Sequence, residues 1–168
     1  NTPLRGAPTV AGSRLFAHRS VFDSVLEGMA QTGDFWAPRA SLDPEAHMGA
    51  IISKEQHDKV MGYIEAGKRD GASVAMGGDA PSNGGGYFVN PTILVDVNPQ
   101  MSVVREEIFG PVVVAQRFDD LDEVAKAAND TCYGLGAGVW TKDVATMHKL
   151  AAKIKSGTVW GNCHAVTW

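Results

Sequence analysis

The chain has 168 residues, of which 44% are hydrophobic and 20% charged, and its formal net charge is −4. These values indicate one globular domain that is long enough to bury a core, and the acidic balance argues against a nucleic-acid-binding surface. No apolar run approaches the roughly 18 residues of a membrane span, and the first residues lack the pattern of an export signal. With 2 cysteines, no disulfide framework is expected, and a reduced, cytoplasmic setting is predicted.

Strands and helices are predicted to alternate along the chain. Short β-branched and apolar runs predict strands at residues 14–17, 73–76, 87–97, 112–118, 135–140 and 158–162. Apolar residues spaced three and four apart predict helices, which open after the N-cap residues Ser20, Ser53, Asp120 and Asp143. The compositions of residues 33–47 and 77–86 predict loops. This alternation predicts an α/β fold with a largely parallel sheet and flanking helices.

Individual residues set the expected ends and environments of these elements. Ser53 and Gln56 form a capping-box pattern, and the helix that they open is expected to end near residue 67 or 69. The last helix is expected to stop at Gly157, and Pro91 predicts an edge, a bulge or a break in its strand. The fourth and sixth predicted strands are continuous apolar runs, which predicts that both of their faces are covered.

Most of the chemically versatile residues fit structural roles. The glycine-rich stretches 84–86 and 134–138 do not lead into helices, so turns and close backbone contacts are predicted there rather than phosphate binding. The 5 histidines form no metal-ligand motif, and no metal site is predicted. The acidic group at residues 119–123 is predicted to cap a helix, and Cys132 and Cys163 are predicted to be buried small residues.

The segment Arg105–Pro111, with the sequence REEIFGP, combines two adjacent carboxylates, an aromatic ring and a Gly-Pro pair in front of a predicted strand. One interpretation is structural: Glu106 and Glu107 are solvated, and Phe109 belongs to the core. The other is chemical, because a fixed carboxylate can accept hydrogen bonds from both hydroxyls of a ribose while a nearby ring packs on the attached planar base.

This segment resembles the Glu-Glu-x-Phe-Gly-Pro signature of the NAD(P)-dependent aldehyde dehydrogenase superfamily. Further segments similar to that family follow in its order, at residues 11–16, 48–49, 86–92, 133–135 and 157–162. The resemblance covers about residues 11–165, so residues 1–10 are predicted to be a divergent segment and residues 11–168 an incomplete catalytic domain. It implies the family's α/β catalytic fold and its reaction, the NAD(P)-dependent oxidation of an aldehyde to a carboxylate.

The resemblance also implies roles for particular residues. Glu107 is expected to hold the nicotinamide ribose of NAD or NADP, Phe109 to lie beside the nicotinamide, and Glu106 to be structural. Thr9 stands at the position of the family's nucleophilic cysteine, and a hydroxyl without an adjacent base is a much weaker nucleophile than a thiolate. Because the family's general base and nucleotide-binding domain lie upstream of the matching point, the isolated chain is expected to be inactive and to bind the cofactor weakly.

Two hypotheses about function remain open at this point. The chain contributes one wall of an aldehyde dehydrogenase active site, with a separate chain supplying the rest, or it is a stand-alone, non-catalytic domain that self-associates or binds a partner or small ligand. An uncovered apolar surface, expected to include Phe109 and aromatic residues near Trp160 and Trp168, favours a homo-oligomer, and the simplest closed form is a two-fold dimer. The alternative is a monomer in which the loops at residues 33–47 and 77–86 fold over that surface.

Overall fold

The computed structural model describes residues 12–81 and 85–163. The elements in chain order are β1 (Arg14–His18), α1 (Arg19–Gln31), α2 (Lys54–Arg69), β2 (Ser73–Met76), β3 (Thr92–Val95), α3 (Ser102–Arg105), β4 (Val112–Phe118), α4 (Leu121–Asn129), β5 (Gly136–Val139), α5 (Val144–Lys153) and β6 (Thr158–Gly161). A single turn of 3₁₀ helix at Asp34–Trp36 interrupts the first long loop. The alternation of strands and helices confirms the predicted α/β class.

The strands form two sheets within the described ranges. The larger sheet has the order β1-β4-β3-β2, and β5 pairs with β6 in the smaller one. The pairs β1–β4, β3–β4 and β5–β6 are parallel, and β2 runs antiparallel to β3. Arg14 lies opposite Val114 in the register of β1 and β4, so the first strand joins a partner from much later in the chain. The largely parallel pairing confirms the prediction.

Three helices begin directly after their predicted N-cap residues, and a fourth helix begins after a different residue. The side chains of Ser53, Asp120 and Asp143 accept hydrogen bonds from backbone N–H groups in the first turns of α2, α4 and α5. The prediction that Ser20 caps α1 is wrong. The cap is His18, whose Nδ1 accepts the backbone N–H of Ser20 at 3.2 Å, so the ring nitrogen does what a serine oxygen would do.

The end of α5 also differs from the prediction. The helix stops at Lys153 and not at Gly157. The reason is a side chain from α4: the Asn129 amide donates to the carbonyl of Lys153 at 2.8 Å, and its oxygen accepts from the backbone N–H of Lys155 at 2.8 Å. These bonds take up backbone groups that a longer helix would use, while Ile154 turns to an extended conformation.

The lengths of the strands show where the backbone can form the hydrogen bonds of a β-sheet. The predicted strand at 87–97 shortens to Thr92–Val95, because Pro91 has no N–H to donate and the chain becomes a strand only after it. The strands predicted at 73–76 and 112–118 are confirmed with their full bounds. The prediction that β6 is covered on both faces is wrong, since none of its residues is fully buried.

The larger sheet separates two parts of the core. On one face, α2 packs Val60 and Ile64 against Leu94, and on the other, α1 packs Phe22 against Ile93. Ile93 and Leu94 are neighbours in β3, and strand alternation sends them to opposite faces. A third cluster connects α4, α5 and β5; its buried members are Val124, Ala125, Val139 and Leu150. The sheet thus holds α2 firmly over one of its faces, which fixes the position of the site described next.

The structure contradicts the role predicted for the two cysteines and confirms the one predicted for the glycine-rich stretch at residues 134–138. The prediction of buried cysteines is wrong, since Cys132 is exposed and Cys163 is half-buried, and both are free thiols. The close contact predicted for the glycines at 134–138 is confirmed at Gly136, where a Cβ would lie 2.7 Å from the ring of Trp160. The described residues contain no helix that is long and apolar enough to cross a membrane.

Candidate functional site

Residues 106–110 form a loop between α3 and β4, and three features of the loop fix its path. Ile108 is buried in the cluster beneath α2 and anchors the loop to the core. Gly110 approaches α2 so closely that a Cβ there would lie 2.7 Å from both methyl groups of Val60. Pro111 follows, and its carbonyl accepts the backbone N–H of Thr92 at 2.8 Å, which joins the loop to the start of β3.

Phe109 has an unusual backbone conformation. Its φ is 55°, in the left-handed region that non-glycine residues seldom adopt. The Gln56 side-chain amide donates to the carbonyl of Ile108 at 2.9 Å and to that of Phe109 at 3.3 Å, and these bonds hold the turn. The ring of Phe109 remains 52% exposed. The fold therefore stabilises a costly backbone conformation and uses it to present an aromatic side chain on the surface.

The two adjacent carboxylates have different surroundings. Glu106 accepts a hydrogen bond from the hydroxyl of Tyr63 at 2.6 Å, and this bond raises the pKa of Tyr63 to about 12. Glu107 is exposed, and no described residue forms a hydrogen bond or ion pair with its carboxylate. One carboxylate is thus tied to α2, and the next one along the chain is free to accept hydrogen bonds from outside.

The site therefore presents an unpaired carboxylate and an exposed ring on one short, well-held loop. The interpretation of Phe109 as a core residue is excluded by its exposure. A carboxylate of this kind can accept two hydrogen bonds from vicinal hydroxyls, and the face of the ring can pack against a planar group. Thr9 lies outside the described residues, so its position relative to Glu107 and Phe109 is not part of this geometry.

Three residues of α2 hold the loop, and the sequence does not predict that they contact it: Gln56, Val60 and Tyr63. They lie at positions i, i+4 and i+7, which places them on one face of the helix. That periodicity was visible in the sequence, but it did not show which segment the face would contact. The capping-box pattern predicts a role for Gln56 at the start of α2, and in the structure its side chain bonds the loop.

The other acidic cluster of interest has only structural partners. Asp120 caps α4, Asp119 forms an ion pair with Arg19 at 2.7 Å, and Asp122 pairs with Lys153. The hydrogen bond from the Arg19 guanidinium lowers the pKa of Asp119. No group of three or more metal-ligating side chains occurs in the parts of the chain that the structure describes.

Comparison with known proteins gives one consistent family. The model of the aldehyde dehydrogenase family matches residues 4–167 of the chain. A betaine aldehyde dehydrogenase of Mesorhizobium japonicum is 43% identical over 159 residues, which cover 93% of this chain and 33% of that protein. An aldehyde dehydrogenase of Vibrio cholerae is 41% identical over 165 residues, which cover 95% of this chain and 32% of that protein.

Solved structures agree with the sequence comparisons. The NAD+ complex of an aldehyde dehydrogenase from Bacillus cereus superimposes with a TM-score of 0.89 at 44% identity, over 94% of this chain and 32% of that one. A betaine aldehyde dehydrogenase from Staphylococcus aureus in complex with NAD+ gives a TM-score of 0.92 at 32% identity, over 97% of this chain and 33% of that one. The chain spans about a third of the length of these relatives. The predicted boundary at residue 10 stays a prediction, since the family match begins at residue 4.

Proposed function

Since the chain belongs to the aldehyde dehydrogenase family, we propose that Glu107 and Phe109 receive the nicotinamide end of NAD or NADP. Glu107 accepts hydrogen bonds from the ribose hydroxyls, and Phe109 packs beside the nicotinamide ring. The bound cofactor supplies the hydride acceptor of the family's reaction. The observation that carries this proposal is the turn at Phe109, where a backbone φ of 55° is held by Gln56 and the side chain is left exposed.

The chemistry of the loop supports this assignment. The Glu107 carboxylate has no partner among the described residues, so its lone pairs are available to hydroxyl donors without first breaking a bond. The loop backbone is held at Ile108 and Phe109, and the side chain of Glu106 is bonded to Tyr63, so little conformational entropy is lost when a ligand binds. The relatives from Bacillus cereus and Staphylococcus aureus were solved with NAD+, which gives the ligand class.

The proposed site predicts weak binding by this chain alone. Two hydrogen bonds to a carboxylate and one aromatic contact contribute a few kcal/mol, and a Kd of 1 mM already corresponds to about −4 kcal/mol. We therefore expect a Kd near or above 1 mM for both NAD and nicotinamide mononucleotide, since the second compound retains the ribose and ring that the site is proposed to contact.

An NMR titration of the chain with nicotinamide mononucleotide tests this proposal. Glu107→Gln and Phe109→Ala are expected to reduce the saturable shifts of the loop resonances. Glu27→Gln on the exposed surface of α1 is the matched control, since it also removes one exposed negative charge. Unchanged binding in Glu107→Gln would refute the assignment, and a micromolar Kd for NAD would indicate a different nucleotide site.

We also propose that these 168 residues do not oxidise aldehydes by themselves. By the resemblance of the sequence to the family's motif, Thr9 stands where the nucleophilic cysteine is expected, and a threonine hydroxyl attacks an aldehyde far more slowly than a thiolate. The chain also spans only about a third of its relatives, whose remaining length is proposed to supply the other catalytic and cofactor-binding groups. A separate chain that carries those groups is the partner that would make the site complete.

The alternative function, a self-associating domain, is favoured by the surface around the smaller sheet. Tyr133, Leu135 and Val144 are 50%, 60% and 64% exposed and lie at the ends of β5 and α5. Exposed apolar side chains and unpaired strand edges favour association, so a two-fold homodimer is proposed. Of the aromatic residues expected on an uncovered apolar surface, Phe109 is 52% exposed, Trp160 is half-buried and Trp168 lies outside the described residues. Light scattering over a range of concentrations tests the dimer, and a monomer mass throughout would exclude it.

A further inference from the structure

One face of α2 contacts the 106–110 loop at three successive points. Gln56 bonds the carbonyls of Ile108 and Phe109, Val60 lies against Gly110, and Tyr63 bonds the carboxylate of Glu106. These contacts bracket Glu107, since Glu106 and Ile108 on either side of it are both held. The direction in which Glu107 and Phe109 project is therefore set by α2.

Tyr63 contacts a side chain of the loop, the Glu106 carboxylate, and not its backbone. Its ring packs against the core cluster beneath α2, while its hydroxyl reaches the surface and donates to Glu106 at 2.6 Å. This bond raises the pKa of Tyr63 to about 12, so the phenol is neutral at physiological pH and its hydroxyl can donate to Glu106. A rigid ring buried at one end and bonded at the other fixes the Glu106 side chain, and with it the start of the loop.

We propose that Tyr63 is a positioning residue that acts through Glu106. It holds Glu107 and Phe109 in the orientation that receives the nicotinamide end of the cofactor, and this role rests on the proposed function. Without the hydroxyl, Glu106 has no donor among the described residues, and the loop loses its tie to α2 on the N-terminal side of Glu107. The ties at Gln56 and Val60 remain, so the loop stays attached but samples more orientations.

Amide hydrogen exchange of the 168-residue chain tests this role without any ligand. Tyr63→Phe keeps the ring and removes only the hydroxyl. Tyr133→Phe is the matched control, since it removes the hydroxyl of a nearby exposed tyrosine that makes no hydrogen bond to the loop. We expect Tyr63→Phe to accelerate exchange of the Glu106 amide, which donates to the carbonyl of Ser102 at 2.9 Å and is therefore protected, by about five- to tenfold, the effect of losing one exposed hydrogen bond. Exchange in α1 is expected to be unchanged.

Variants of Glu106 distinguish the loss of the Tyr63–Glu106 bond from a general loss of stability as the cause of faster exchange. Glu106→Ala is expected to accelerate exchange as much as Tyr63→Phe does, and the double variant no further, because both changes remove the same bond. Glu106→Gln keeps an acceptor oxygen and is expected to retain the wild-type rate. Nicotinamide mononucleotide affinity is expected to fall in Tyr63→Phe and Glu106→Ala, and to be retained in Glu106→Gln and Tyr133→Phe.

Two results would overturn the role of Tyr63. One is unchanged loop exchange in Tyr63→Phe. The other is faster exchange with unchanged nucleotide affinity, when Glu107→Gln weakens that affinity. If Glu107→Gln itself leaves nucleotide affinity unchanged, the proposed function fails, and the exchange rates alone then decide whether Tyr63 holds the loop.

Discussion

The contact between Gly110 and Val60 allows a quantitative test of how the loop is held against α2. A Cβ at Gly110 would lie 2.7 Å from both Val60 methyl groups, whereas carbon atoms in normal contact are about 3.5–4.0 Å apart. In Gly110→Ala, the loop and α2 must therefore separate by roughly 1 Å. Val60 is fully buried, so the helix has little room to move.

The expected cost of Gly110→Ala follows from two opposing effects. Overpacking of this kind destabilises proteins by about 1–3 kcal/mol. Replacing glycine by alanine also restricts the unfolded chain, which returns about 0.4–1 kcal/mol, because the backbone at Gly110 does not have a positive φ. We expect a net loss of about 1–2 kcal/mol in the free energy of unfolding, and a melting temperature lower by about 2–4 °C for each kcal/mol.

Equilibrium urea unfolding of a variant set measures this loss. Val60→Ala removes two buried methyl groups and is expected to cost about 2–3 kcal/mol by itself. In Gly110→Ala/Val60→Ala the new methyl group enters the space that is vacated, so the double variant should be no less stable than Val60→Ala alone. Gly62→Ala is the control on the same helix, since a Cβ there meets nothing within 4 Å, and it is expected to stabilise the protein by about 0.5–1 kcal/mol. Additive losses in the double variant would refute the contact as the cause.

Three further outcomes are expected. Thr9→Cys alone produces no reduced cofactor with NAD or NADP and a panel of aldehydes, and turnover above a buffer control would contradict the proposal that the other catalytic groups come from outside this chain. In spectrophotometric titration, Tyr63 is expected to ionise near pH 12 in the wild type and at lower pH in Glu106→Gln. Because the pKa of Tyr63 is raised in the folded state, the stabilisation by its bond to Glu106 is complete below the ordinary phenol pKa and is lost as pH rises through about 12. Ionisation of Tyr63 near pH 10 would argue against the bond. Asn129→Ala lowers the free energy of unfolding by about 1 kcal/mol by removing its bonds to the end of α5, and unchanged stability would show that another contact ends that helix.

Features that depend on neighbouring residues could be predicted from the sequence. Asp120 caps α4 by bonding backbone N–H groups two and three residues away, so the residue type and its position are sufficient. Pro91 acts through its own missing N–H and shortens its strand for a local reason. The end of α5 could not be predicted in this way, because the amide that terminates it belongs to Asn129, 24 residues earlier.

The candidate site shows the same division. Glu107 and Phe109 can be identified from the sequence because the segment that contains them resembles a family signature, and their exposure agrees with a binding role. Gln56 and Tyr63 cannot be identified in this way, because they reach the loop from 53 and 43 residues away. Such contacts exist only after α2 has packed on the sheet, so no local pattern in the sequence specifies them.

The pairing of β1 with β4 has a consequence for the order in which the chain folds. The strands β2, β3 and β4 and the helix α2 all come from residues 54–118 and can associate as they are synthesised. The strand β1 must wait for β4, which is made about a hundred residues later, or about 5–20 s at ordinary rates of synthesis. During that interval the apolar side chains of β1 and α1, including Phe16 and Phe22, have no sheet to pack against. The segment that carries β1 and α1 is thus synthesised before the sheet that it joins, and such long-range pairing makes folding slow and leaves apolar surface open to aggregation until it is complete.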